Sequence, residues 1–180
     1  MNRSSLKVVY LLIALVGAAR LLPHPENFAM VGALALFAGA YLPTRIAWLV
    51  PLGALLIGDA VIGFYNGVVM VGVYVGFAMS AMVGRAVLSQ RRTTFRLGGS
   101  VLASALLFFL VSNFGVWLVA YPNTFAGLVS CYVNAIPFFG RSLLGDLIYS
   151  ALLFGAYEGL KHYFTQQVPQ QVASQKNANT

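Results

Sequence analysis

Charge is what this sequence has least of. Only 8% of its 180 residues are Asp, Glu, Lys or Arg, against about 25% in an ordinary soluble domain, and a water-soluble globular fold is excluded on that ground. Acidic residues are the scarcest, with Glu26, Asp59, Asp146 and Glu158 making up the whole set. A single cysteine, Cys131, excludes an internal disulfide and reads as a small apolar filler. Also absent are His-Glu-x-x-His, Gly-x-Ser-x-Gly and Gly-x-x-x-x-Gly-Lys, so zinc hydrolysis, serine chemistry and ATP use are not signalled. Two membrane aspartates could share a proton as in an aspartyl protease, but no accompanying motif is found, and no enzyme is expected. No cofactor or metal is expected either, since His24-x-Glu26 lacks further ligands. The net charge of +7 does not point to nucleic acid, because the basic residues are scattered between apolar runs, a placement that membrane topology explains.

What fills the chain instead is apolar residues, 59% of the total, gathered in runs. Crossing about 30 Å of hydrocarbon takes about 20 of them, and six runs qualify as spans: 6–22, 28–42, 46–65, 68–88, 97–121 and 143–164. The second is the shortest. The basic start and apolar stretch of 1–19 also resemble a signal peptide, but Arg20 and a further apolar run follow directly, which favours a retained helix. Residues 122–142, apolar but broken by Asn123, Asn134, Pro137 and Gly140, read as an extra helix on the outer face. Residues 165–180, rich in Gln, Asn and Ser, read as a disordered cytoplasmic tail after a single membrane domain over 1–164. With both termini in the cytoplasm, every Lys and Arg except Arg20 and Arg141 falls on the inner side, as the positive-inside rule demands.

On this topology the polar residues gather at the outer face. An ionised carboxylate in a spanning helix costs about 2.5–3.5 kcal/mol on insertion scales, so Asp59 and Asp146 should face protein or a wet cavity. Arg20 and Arg141 are their natural counter-charges, either locking helices together or holding a ligand. Asn27, Tyr65, Asn66, Asn113, Trp117, Tyr121 and Asn134 lie on the same side, and together these residues describe a substrate pocket open to the outside and sealed below. A faint internal echo, Asn27-Phe28, Pro51 and Asp59 against Asn113-Phe114, Pro137 and Asp146, pairs the two aspartates again, whether by duplication or by chance. Small-residue spacings at Ala14/Ala18, Ala29/Ala33, Ala35/Gly39 and Gly72/Gly76 permit close helix approach, within the chain or to a partner.

Arg20-Leu-Leu-Pro-His-Pro-Glu-Asn-Phe28, Leu36-Phe-Ala-Gly-Ala40, Gly58-Asp59, Ser112-Asn-Phe-Gly-Val-Trp117, Tyr121-Pro, Cys131-Tyr132, Ile136-Pro-Phe-Phe139 and Leu144-Gly-Asp146 carry a family resemblance. The chain resembles, over about residues 8 to 160, an uncharacterised family of small bacterial membrane proteins grouped with transport proteins. More distantly it resembles the substrate-binding S-components of energy-coupling-factor transporters. That resemblance implies an all-α, six-helix bundle in the bacterial cytoplasmic membrane that captures a small organic solute such as a vitamin. It also implies a partner, a transmembrane coupling subunit with its ATPases, met through the Ala14-x-x-x-Ala18 face of the first helix. The rival expectation is a non-transporting subunit that binds partner proteins through small-residue helix faces.

Overall fold

The computed structural model describes residues 3–19 and 30–178, with side chains over 6–15 and 30–163. All regular structure among the described residues is helical: α1 (Arg3–Ala19), α2 (Val31–Tyr41), α3 (Thr44–Ile62), α4 (Gly67–Leu88), α5 (Thr94–Ala120) and α6 (Phe125–Ala178). Local chemistry sets the boundaries. Gly63, with φ +117°, ends α3 in a conformation that side chains rarely adopt. The Asn66 side chain accepts from the N–H groups of Val68 and Val69 at 2.9 and 3.4 Å and so starts α4. Thr93 does the same for α5 through Arg96 N–H, at 3.3 Å.

Helices α3, α4, α5 and the Phe125–Tyr163 part of α6 are long and apolar enough to cross a membrane. Their outward side chains, among them Ile57, Val61, Ile62 and Leu152, are more than half exposed, a large apolar surface that water would not tolerate. The predicted spans thus recur as six helices in the predicted order, four of them of crossing length.

The bundle is built around α2. All eleven of its residues are buried, and it packs against each of the other helices. Backbone meets backbone where it crosses α4, because Gly39 lies on the Ala81 carbonyl and Gly84 on the backbone of Leu36; a methyl group at either glycine would collide. Around its C-terminal end, Phe37 and Tyr41 interlock with Phe154 and Tyr157 of α6. Around its N-terminal end, Val31 packs with Leu55 and Phe77. At 1.5 Å per residue α2 is only about 16 Å long, half of a hydrocarbon core.

One predicted element is corrected. The extra outer-face helix between the fifth and sixth spans does not exist separately, because Phe125 to Ala178 is one continuous helix, running on through the polar tail segment. Of the four residues that suggest a break, Asn123, Asn134, Pro137 and Gly140, the proline is the strongest breaker, yet in a helix interior it removes one hydrogen bond, the one its missing N–H would make to Val133. Contacts with α5 hold the segment in line across it: Phe109 packs on both Tyr132 and Phe139, and the Tyr132 hydroxyl donates to the Leu110 carbonyl at 2.6 Å. Asp146 therefore does not begin a helix but sits within one. It lies about 31 Å along α6 from Phe125.

Candidate functional site: a buried half-helix and the pocket beyond it

Both aspartates are buried, Asp59 at 5% and Asp146 at 7% exposure, and each is held by the protein. Asp59, one turn beyond Leu55, accepts from the Tyr74 hydroxyl at 2.9 Å. Asp146 accepts from the Ala33 N–H at 3.2 Å. Ala33 is in the first turn of α2, where N–H groups lack intrahelical partners and the helix dipole is positive, so Asp146 caps α2 from a different helix. Room for it comes from Gly32, where a side chain would strike the Asp146 carboxylate.

The opposite end of α2 carries the complementary charge. Arg92 Nη2 donates to the Ala40 and Ser89 carbonyls, both at 3.0 Å, and its guanidinium sits 4.2 Å from the centre of the Tyr41 ring. Tyr41 in turn donates to Glu158 at 3.2 Å, and Lys161 pairs with the same carboxylate at 3.4 Å. A charge-free helix thus has a carboxyl group at its positive end and a guanidinium at its negative end, each supplied from elsewhere in the chain.

Among the described residues a cavity lies beyond Asp146, on the side away from Arg92. It holds about 370 Å³ between α4, α5 and α6. Phe108 and Phe109 of α5 and Phe138 and Phe139 of α6 form its walls, and its polar lining is Ser112, Asn113, Tyr121, Cys131, Asn134 and Ser142. Every residue lining it is uncharged.

Of the residues singled out in the sequence, Asn113, Tyr121 and Asn134 meet in this cavity. The others stand elsewhere. Asp59 and Asp146 flank the N-terminal end of α2 and do not line the cavity. Arg141 is exposed on α6; five residues at 100° each place it about 140° around the helix from Asp146, so the two cannot face each other. Trp117 donates to the Pro122 carbonyl at 3.0 Å and packs on Phe114, Asn66 serves as the α4 cap, and Tyr65 sits in the α3–α4 loop. Arg20 and Asn27 lie outside the described residues.

Sequence reasoning missed Tyr74, Arg92 and the four phenylalanines. Tyr74 carried a signal, since a hydroxyl seven residues into an apolar run needs a polar partner. Two of the small-residue spacings meet the chain itself, since Gly72 abuts Val111 and Ser112, Gly76 abuts Phe108, and Gly39 abuts α4, whereas Ala14 is exposed on α1. Among the described residues no cluster of three or more His, Cys, Asp or Glu could hold a metal ion.

No curated protein and no solved structure matches the chain. The sequence model of one family, described as a family of unknown function (DUF6580), matches residues 1–170, and to that family the chain belongs.

Proposed function

We propose that the protein is a solute-capturing component of membrane transport. On this reading it crosses the bacterial cytoplasmic membrane six times with both termini inside, and its α4–α5–α6 cavity faces outward. The observation that carries it is the asymmetry of the bundle: one half is filled solid by α2 and its aromatic neighbours, while the other holds the 370 Å³ cavity. A site of that size, apolar with a few placed amides and hydroxyls, suits a small organic ligand. The filled half carries Arg45, Arg85, Arg91, Arg92 and Arg96 around the C-terminal end of α2, which fits a cytoplasmic side.

An energy-coupling partner would meet the bundle at α1, whose Tyr10, Leu11, Ala14 and Leu15 form an exposed apolar face. The rival reading, a scaffold that binds partners through small-residue faces, loses support because Gly39, Gly72 and Gly76 are occupied by the bundle itself.

The test is mass spectrometry of small molecules released from the detergent-purified protein and from Ala135→Phe. Ala135 is buried and lines the cavity, so a phenyl group there fills it. A compound carried by the wild type and reduced at least tenfold in the variant, with thermal stability retained, supports capture. Equal amounts in both, or no compound at all, overturns it.

A further inference from the structure

Which chemical class of solute fits is a matter of which hydrogen-bonding positions the cavity leaves open. Asn113 Nδ2 donates to the Phe109 carbonyl at 2.8 Å, a bond only the amide nitrogen can make, so its Oδ1 keeps its accepting capacity. Asn134 Nδ2 donates to the Tyr121 hydroxyl at 3.2 Å, leaving a second amide oxygen. Ser112 donates to the Phe108 carbonyl at 2.7 Å and Cys131 to the Asn113 carbonyl at 3.5 Å. Ser112 and Cys131 therefore direct their single donors into the protein, whereas Asn113 and Asn134 each keep Oδ1 and a second N–H, and Tyr121, which accepts from Asn134, keeps its O–H.

Charge and shape narrow the class further. An ionised solute would need a counter-charge, because burying an unpaired ion costs several kcal/mol. The lining is uncharged, and the nearby buried carboxylate, Asp146, is turned to the first turn of α2. Phe108, Phe109, Phe138 and Phe139 supply ring faces and edges, which favour a flat aromatic or conjugated body.

Resting on the capture reading above, we infer that the solute is an uncharged, flat ring compound that pairs an N–H or O–H donor with a carbonyl acceptor, such as a lactam or carboxamide, to meet the amides of Asn113 and Asn134 and the Tyr121 hydroxyl. An anion or cation of the same shape is rejected for want of a counter-charge. A shape-matched ring without donors leaves the amide oxygens unsatisfied.

Four probes built on one naphthalene body separate these properties: 1-naphthamide, N,N-dimethyl-1-naphthamide, 1-naphthoate and 1-naphthamidine. Binding to the detergent-purified full-length protein is followed by ligand-observed NMR, with Ala135→Phe as the filled-cavity reference and Asn113→Leu as the acceptor-deleted variant. The expected result is cavity-dependent binding of 1-naphthamide at least tenfold tighter than each of the other three, falling about tenfold in Asn113→Leu. Preference for the naphthoate or the amidine, with binding still lost in Ala135→Phe, overturns the charge class while leaving capture intact. Equal binding of the two amides overturns the donor requirement and describes a plain apolar slot, as an acyl chain would use. If no probe depends on residue 135, the solute class fails. Capture itself is judged by the released-compound comparison.

Discussion

At Asp146 one side chain decides how a helix begins. The carboxylate meets the Ala33 N–H, and Gly32 exists as glycine because nothing larger fits beneath that carboxylate. Gly32→Ala should therefore push Asp146 off the helix end and leave a buried carboxyl and the Ala33 N–H without their partners, at a cost of about 1–3 kcal/mol. The check is a lower thermal midpoint in detergent; an unchanged midpoint would mean that Asp146 does not bear on α2. A serine makes the opposite case. The hydroxyl of Ser104 is buried with no hydrogen-bond partner, so Ser104→Ala removes an unsatisfied group and keeps the shape. It should be neutral or stabilising by up to about 1 kcal/mol, measured in the same melting experiment.

Helix α2 is short, wholly buried and without charge, and its alignment is answered at both ends by groups it does not itself carry. The two contact points, Ala33 and Ala40, are about 10 Å apart along the axis, at the outer limit of the range at which substitutions usually couple. Asp146→Asn and Arg92→Gln should each destabilise, and the double variant should lose the sum of the two within about 0.5 kcal/mol. A clear departure from additivity in chemical denaturation would show that the ends communicate through the bundle. Apolar run length was enough to find six helices in order, four of them of crossing length, because only helices satisfy the backbone in lipid. It could not show that α2 stops at half the crossing length, nor that α6 carries on through Pro137, since tertiary contacts with Phe109 and Leu110 decide that. The site was partly readable for the same reason: Asn113, Tyr121 and Asn134 stood out as polar residues amid apolar ones. The carboxylates misled about the cavity because a buried carboxyl that serves a helix end looks, in sequence, like one that serves a ligand. Arg141 misled because it falls with the aspartates on one side of the membrane in the expected topology, and that says nothing of the turn of the helix, which sets it about 140° from Asp146.

Taken whole, the molecule has two unlike halves, and the proposed function depends on which side of the membrane each faces. The α5 helix separates Gln90, beside the arginine-rich loop, from Asn123, in the turn before α6, and both are exposed. With 27 residues, α5 has the length and hydropathy to cross. The protein's single cysteine helps the test, because Cys131 is 2% exposed and should be silent toward a membrane-impermeant maleimide. In intact cells, Asn123→Cys should then label and Gln90→Cys should label only after permeabilisation. The reverse pattern would open the cavity to the cytoplasm and turn a capture component into one that releases or exports. Labelling of both positions from the same side would mean that α5 does not cross, and the apolar belt formed by residues such as Val61, Ile62 and Leu152 would have to be covered by protein instead of lipid.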